Sequence, residues 1–370
     1  MLETYLYSSV QVKLKLMNSS AANSLSKIPH VITALLIILV ISMMGCSGKI
    51  KNDTVSSPKS IVVDTGNFST YRQVTFLPYW VTNAQFAGYY MAIENGIYQK
   101  YGLNVTIIPY LPFINSKDLI DDGKADFATI WLASAIELKA SGTDIVNIAQ
   151  PSTRSSLMFV AKKKSGIKTI QDFNGKKAGI WTGFEIQPRA LFNKYRLNVK
   201  IIPIGSTNNL FLMDGVDITT ANWFDEYHSI INSGFNPDEL VTFFFADYGL
   251  NFLEDGIYCL SDKLKKDPKL CADFVLATLE GWKLAFENPE LAIDIVVKYS
   301  KQTNQPVNRA HQRWMLDRYK DLYFSSATNS FNNSLSISDY QFVGNILKES
   351  GLIKEVPSFE NFYQPVLNNE

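Results

Sequence analysis

The sequence has little of the residue types on which much enzyme chemistry depends. Only three histidines and three cysteines occur in 370 residues. His30, His228 and His311 stand apart along the chain, and no HExxH, phosphate-loop or GxSxG motif is present. Cys259 and Cys271 lie 12 residues apart, a spacing that matches no metal motif. The sequence therefore predicts no catalytic residues, no metal and no cofactor. Whether these two cysteines form a disulfide or remain buried thiols stays open.

The chain also lacks net charge, because 35 basic side chains balance 35 acidic ones. A balanced charge gives no electrostatic attraction to a polyanion, so we expect no nucleic-acid partner. A length of 370 residues allows two domains, each with a core of its own.

Long hydrophobic runs are absent as well. The longest, residues 31–45, has 15 residues, which is short of the ~20 needed to cross a bilayer and is typical of a signal-peptide core. Cys46 follows it, and the junction MMGC resembles a lipobox, in which that cysteine is lipidated and becomes the mature N-terminus. Met43 stands where a lipobox usually has leucine. An uncleaved anchor helix is the alternative.

These features predict the following domains. Residues 1–45 form a lipoprotein-type signal peptide, with Met17 as a second candidate start, and residues 46–72 form a polar, flexible tether. Short apolar runs then alternate with helical patterns, which predicts α/β lobes with mixed, mostly parallel sheets. We expect lobe 1 to comprise residues 73–155 and 250–370, and lobe 2 residues 156–249.

Tryptophans gather where the predicted strands end, and ligands of open α/β sheets bind at that edge. Four of the six tryptophans follow such strands: Trp80, Trp131, Trp181 and Trp223. Any one could instead cap its sheet as a core residue. Flat rings beside carboxylates and amides suit a flat, nitrogen-bearing ligand. The candidate ligand-binding residues at these ends are Trp80, Gln85, Tyr89, Trp131, Ser134, Trp181, Phe184, Glu185, Asn222, Trp223 and Asp225. Asp225 has a second interpretation as a charge that favours a helix start.

Several segments carry a resemblance to a known family. They are VTFLPYWVTNAQFAGYYMAIENGIYQKYGLNVTII, GKADFATIWLASAIELKASG, GIWTGFEIQPRALFNKY and ADYGLNFLEDGIYCLSDKL followed by DP, and they span roughly residues 73–290. Together they resemble ABC importer substrate-binding proteins related to the fungal thiamine-pyrimidine synthase, a group that includes sulfonate-, thiamine-precursor- and riboflavin-binding proteins.

The resemblance implies a periplasmic-binding-protein fold of type II, whose two lobes close on a ligand. It also implies that Asp247, Tyr248 and Asn251 lie near the cleft. The implied ligand is a thiamine pyrimidine precursor, such as hydroxymethylpyrimidine or formylaminopyrimidine. Riboflavin is the alternative ligand, and a ligand-binding sensor is the alternative role. The implied partners are the permease and ATPase of an ABC importer, and we expect a lipid-anchored monomer at the cell envelope.

The synthase that gives this group its name is an enzyme, and this chain departs from it. Where the enzyme has a cofactor-binding lysine and a histidine, this sequence has Ile130 and Ser134. Its cysteine-rich iron motif is absent here too. Without these groups we expect this chain to bind its ligand unchanged.

Overall fold

The computed structural model describes residues 71–110, 116–325, 330–331 and 333–367. The predicted signal peptide, Cys46 and nearly all of the tether lie outside these residues. Within the described part of the chain, no helix is long and apolar enough to cross a membrane.

The first five-stranded sheet contains strands from both ends of the described chain. Its strands are β1 (Arg72–Leu77), β2 (Leu103–Ile107), β3 (Phe127–Ile130), β4 (Ile145–Ala149) and β10 (Gly256–Leu260), in the order β2-β1-β3-β10-β4. β1 pairs in parallel with β2 and β3, whereas β10 runs antiparallel to both of its neighbours. Four strands therefore point one way, and their carboxyl ends share one edge.

The second sheet has the same arrangement, built from the intervening chain. Its strands are β5 (Leu157–Lys162), β6 (Lys177–Trp181), β7 (Lys200–Ile204), β8 (Ile218–Asn222) and β9 (Leu240–Phe244), in the order β7-β6-β8-β5-β9. Here β5 is the reversed strand, antiparallel to β8 and β9. The predicted α/β class with mixed, mostly parallel sheets is confirmed. The exact lobe boundaries stay a prediction.

Helices cover both sheets. They are α1 (Ala87–Glu94), α2 (Ile97–Lys100), α3 (Ser116–Asp121), α4 (Leu132–Ala140), α5 (Ile186–Lys194), α6 (Asn209–Leu212), α7 (Glu226–Asn232), α8 (Ser261–Lys266), α9 (Pro268–Glu287), α10 (Pro289–Gln302), α11 (Arg309–Tyr323), α12 (Ile337–Glu349) and α13 (Phe359–Phe362). A short hairpin, β11 (Phe324–Ser325) with β12 (Ser330–Phe331), lies between α11 and α12. Residues 85–98 have the sequence pattern of one helix, but the structure divides them among a 3₁₀ turn (Ala84–Phe86), α1 and α2. The break between α1 and α2 falls at Gly96, which adopts a left-handed φ of 69°.

α1 packs closely against α9 over the first sheet. A Cβ atom on Gly88 would lie 2.3 Å from the Trp282 ring, and one on Gly281 would lie 2.2 Å from the Gly88 carbonyl oxygen. Trp282 is completely buried there and stacks on Tyr319 of α11. This packing fixes the start of α1, and with it the loop that follows β1.

Two chain segments cross between the sheets, and polar side chains join them. The Glu254 carboxylate accepts hydrogen bonds from Ser155 Oγ at 3.0 Å and from the Ser156 backbone N–H at 2.9 Å. Asn251 Oδ1 accepts from the Ser155 backbone N–H at 2.8 Å. These side chains accept hydrogen bonds from backbone N–H groups that lie outside the strands. They therefore hold the two crossovers together at the base of the region between the sheets.

Candidate functional site

Three aromatic side chains from the two sheets meet at the predicted edge. Trp131 follows β3 of the first sheet, while Trp181 ends β6 of the second and Phe184 lies in the turn after it. The centres of the Trp131 and Phe184 rings are 5.3 Å apart and their planes are inclined at 67°, and Trp181 meets Phe184 edge-on at 6.1 Å. All three are half-buried, so each keeps an accessible face. We call these residues the aromatic cluster.

Glu185 adds a carboxylate beside the aromatic cluster. It is half-buried, precedes α5, and accepts a hydrogen bond from the Gly183 backbone N–H at 3.1 Å. Among the described residues it forms no salt bridge, unlike many other acidic side chains of this chain. Its second oxygen can therefore accept from a ligand N–H without displacing a cation.

Trp80 follows the end of β1 by three residues and is 42% exposed. Its ring is 5.5 Å from that of Tyr110, which follows β2. Ser134 is half-buried in the first turn of α4. The structure therefore brings Trp80 to the same edge of the first sheet as Trp131, as a more open aromatic surface.

Tyr89 lies in the core. Its side chain is 1% exposed, and its ring stacks on Phe76 at 4.1 Å and meets Trp282 edge-on. The reason is helical geometry: Tyr89 sits on the face of α1 that packs against β1 and α9. We leave Tyr89 out of the proposed site.

Gln85 is buried too, and its amide is committed to another side chain. Its Nε2 donates to both carboxylate oxygens of Asp255, each at 3.0 Å. Asp255 precedes β10 and also accepts from the Tyr319 hydroxyl at 2.6 Å. Sequence reasoning missed Asp255, because a single acidic residue before a strand is no signal unless its partners from α11 and the start of α1 are known.

Trp223 and Asp225 contact α11. The Trp314 indole N–H donates to the Trp223 carbonyl oxygen at 2.9 Å, and the Arg318 guanidinium lies 4.7 Å from the Trp223 ring centre. Asp225 Oδ1 is 3.0 Å from His311 Nε2. The loop after β8 is therefore held by a helix from the C-terminal part of the chain, so these two residues bridge two parts of the fold.

Asn222 ends β8 and is buried. Its Oδ1 accepts from the Ser156 hydroxyl at 3.1 Å, and its backbone N–H donates to Glu226 at 2.9 Å. Burial, with the neighbouring Asp225 as a second cause, raises the pKa of Glu226. Both effects favour the neutral form of this carboxyl.

The three residues placed near the cleft by resemblance lie on the returning crossover. Asp247 is exposed and pairs with Arg154 at 2.6 Å. The Tyr248 ring meets the Tyr195 ring at 5.9 Å, and Asn251 binds the other crossover as described above. Only Asn251 lies in the polar contacts at the base of the region between the sheets.

The two cysteines whose pairing was open are buried free thiols. No three described His, Cys, Asp or Glu side chains are placed to hold a metal ion together. The arrangement at the sheet edges is therefore one of aromatic faces, carboxyl groups and amides.

Comparison with known proteins gives related sequences and folds. Riboflavin-binding protein RibY of Chloroflexus aurantiacus is 24% identical over 277 residues, covering 71% of this chain and 76% of that protein. A 4-amino-5-hydroxymethyl-2-methylpyrimidine phosphate synthase of Legionella pneumophila is 22% identical over 250 residues, covering 64% and 76%. The relatives thus include a protein named as an enzyme.

Among solved structures, the periplasmic aliphatic sulphonate binding protein SsuA from Escherichia coli superposes with a TM-score of 0.61. It is 15% identical and covers 80% of this chain and 94% of its own. That likeness concerns the fold alone, and it confirms the periplasmic-binding-protein architecture. The family model described as NMT1/THI5 like matches residues 83–292, more than half of the sequence. The chain therefore belongs to the NMT1/THI5-like family.

Proposed function

We propose that this chain is the substrate-binding component of an ABC importer and captures a flat, nitrogen-bearing heteroaromatic nutrient between its two sheets. The observation that supports this most is the aromatic cluster, in which Trp131 of one sheet meets Phe184 of the other. Ring stacking supplies contact area, and Glu185 supplies an acceptor for a ring or exocyclic N–H.

Entry of a ligand requires the two sheets to separate. The centres of the Trp131 and Phe184 rings are 5.3 Å apart and their planes are inclined at 67°, so a flat ring cannot enter between them without movement. A ring stacked on both would need about 3.5–4 Å on each side. Hinge motion at the two crossovers, near Ser155 and Asn251, would open this space and close it again.

A thiamine pyrimidine precursor is the first candidate ligand and riboflavin the second. An aminopyrimidine offers N–H donors to Glu185 and a small ring to the aromatic cluster. Riboflavin offers a larger ring system, and its named binding protein in Chloroflexus aurantiacus is a relative of this chain. We further propose transport without chemical change, anchoring through a lipid on Cys46, and a monomer that delivers ligand to a permease.

The proposal is tested by calorimetric titration with 4-amino-5-hydroxymethyl-2-methylpyrimidine, thiamine and riboflavin. Replacing Trp181 or Phe184 by Ala should weaken binding by about 1–3 kcal/mol, since each loses a ring contact in a desolvated site. Leu291→Ala, an exposed apolar change on α10, is the matched control. Absence of binding by all three compounds, from protein purified free of ligand, would refute the heteroaromatic assignment.

A second measurement separates binding from catalysis. Each compound is incubated with the protein, released by denaturation and analysed by mass spectrometry. The proposal expects the mass to be unchanged. A new product that depends on the protein would instead favour an enzyme, as the name of the Legionella pneumophila relative suggests for that protein.

A further inference from the structure

Asp255 is a buried carboxylate in an unusual backbone conformation. The residue is only 2% exposed, and its φ of 52° lies in the left-handed region that residues other than glycine seldom adopt. Such a backbone is retained where the surrounding contacts determine it, and it is concentrated at functional sites. No side chain of opposite charge forms a salt bridge with it among the described residues.

Neutral donors surround this carboxylate instead. Gln85 donates to both oxygens at 3.0 Å, and the Tyr319 hydroxyl donates to Oδ2 at 2.6 Å. The Trp131 indole, whose nitrogen can only donate, is also a neighbour of this carboxylate and lowers its pKa.

The register of the first sheet explains why Trp131 and Asp255 meet. Ile130 of β3 pairs with Gly256 of β10 in the antiparallel ladder. The next residue on one strand and the preceding residue on the other, Trp131 and Asp255, are therefore neighbours across the ladder. The Leu132 backbone N–H, which donates to the Leu253 carbonyl oxygen at 2.9 Å, continues the same contact.

We propose that Asp255 is a positioning residue of the ligand site: its carboxylate accepts a hydrogen bond from the Trp131 indole N–H. This bond fixes the ring in the orientation in which it meets Phe184, and so presents the ring to the ligand. The inference rests on the proposed function only for its effect on affinity. Gln85 and Tyr319, the hydrogen-bond partners of Asp255, connect the same carboxylate to the start of α1 and to α11.

Glu254 provides a matched comparison, because it is an equally buried acid one residue away. Its Oε1 accepts from Ser155 and Ser156, whereas its Oε2 has no hydrogen-bond partner among the described residues. Glutamine keeps the accepting oxygen and places an amide where the unpartnered oxygen was. Glu254→Gln therefore alters a buried acid in the same segment while leaving Trp131 untouched.

The first test needs no ligand. In a proton–nitrogen NMR spectrum, the Trp131 indole N–H is the resonance that disappears in Trp131→Phe. Asp255→Asn places an amide N–H₂ among three donors. The chemical shift of the Trp131 indole N–H should therefore change, and its proton should exchange faster with water. Glu254→Gln should leave it in place. If Asp255→Asn leaves the Trp131 resonance unchanged, the proposal is wrong, whatever the ligand proves to be.

The second test is a double-mutant cycle with riboflavin or 4-amino-5-hydroxymethyl-2-methylpyrimidine, whichever binds the wild type. Asp255→Asn should weaken affinity roughly 10- to 100-fold, as expected for a hydrogen bond to a charged group. In a Trp131→Phe background it should change affinity by less than about twofold, because the indole through which it acts is gone. An equal loss in both backgrounds would mean that Asp255 acts on the fold and not through Trp131.

A second substitution covers the case in which Asp255→Asn does not fold. Asp255→Gly removes the carboxylate, and glycine adopts a φ of 52° without strain. It should give the same change at Trp131 and the same non-additivity with Trp131→Phe. Failure of every compound to bind the wild type would count against the proposed function alone, since the NMR measurement would still decide the role of Asp255.

Discussion

At the scale of single residues, the buried acids of the crossover differ in their state at neutral pH. Burial raises the pKa of Glu254 to about 8 and that of Asp255 to about 6. Donors from Tyr319 and Gln85 lower the pKa of Asp255 and so offset part of the effect of burial. At pH 7 Asp255 is therefore largely ionised and able to accept its hydrogen bonds, whereas Glu254 is largely protonated.

Glu254 should make stability depend on pH. Its pKa is higher in the folded state than in an unfolded chain, so the folded state binds the extra proton between pH ~4.5 and about 8. Its contribution to stability is therefore complete at low pH and is lost as the pH rises through this window. Glu254→Gln removes the titration. The melting temperature of the variant, relative to that of the wild type, should be higher at pH 8 than at pH 5. A difference between the two proteins that is the same at both pH values would contradict this.

Sequence alone predicted the positions of the candidate tryptophans better than those of the polar candidates. Trp131 and Trp181 follow strands, and a parallel pattern places strand ends at one edge. Tyr89 has the same local signals as a ligand residue, but the face of α1 it occupies is decided by packing against α9 and β1. Asp255 could not be predicted, since its partners come from segments distant in sequence.

At the scale of elements, α11 links parts of the fold that no single pattern connects. Its Gln312 accepts from the Ala84 backbone N–H at 2.7 Å, beside the first sheet. Its His311 bonds Asp225 and also lies, through Nδ1, 2.9 Å from Nδ1 of His228 on α7. The two ring nitrogens can share only one proton in this contact.

Binding should weaken in acid because of this histidine pair. Burial, followed by the nearby His311, lowers the pKa of His228, so this ring is neutral at pH 7. In acid, a second proton on the pair leaves both Nδ1 atoms protonated, so neither can accept from the other and the contact between α7 and α11 weakens. Between pH 7.5 and 5, affinity should fall up to about fivefold, the worth of ~1 kcal/mol.

His228→Phe keeps the stacking on Trp314 and cannot titrate. The ratio of its dissociation constant to that of the wild type should therefore decrease toward acid pH. Arg313→Gln, on α11 but paired with Asp317 and Glu290, serves as the control and should follow the wild type. A variant ratio that stays constant across the pH range would exclude this role for the pair.

The contact between α1 and α9 should be sensitive to a single methyl group. A Cβ on Gly281 would lie 2.2 Å from the Gly88 carbonyl oxygen, which is backbone and cannot move aside cheaply. Gly281→Ala should lower the free energy of unfolding by about 1–3 kcal/mol or more. Urea denaturation measures it. Leu276→Ala, at a position 39% exposed on the same helix, should lower the free energy of unfolding much less. Equal losses in the two variants would show that the helices can separate without strain.

At the scale of the whole molecule, two sheets of the same strand order are joined by two crossovers. The alternation of strands and helices predicted the class. The contribution of β10 to the first sheet was suggested by the predicted return of the chain near residue 250. The reversed strands β5 and β10 each follow a crossover, so their direction depends on how the chain re-enters a sheet and not on local pattern. Closure of the two sheets around a ligand is the motion this architecture allows.

A crystal structure of the protein grown with riboflavin or with 4-amino-5-hydroxymethyl-2-methylpyrimidine tests the central claim most directly. The account predicts ligand density between the two sheets, with its ring against Trp131 or Phe184, with Glu185 accepting from a ligand N–H, and with those two aromatic rings separated from each other. Ligand bound elsewhere on the protein, with Trp131 and Phe184 still in contact, would contradict the account.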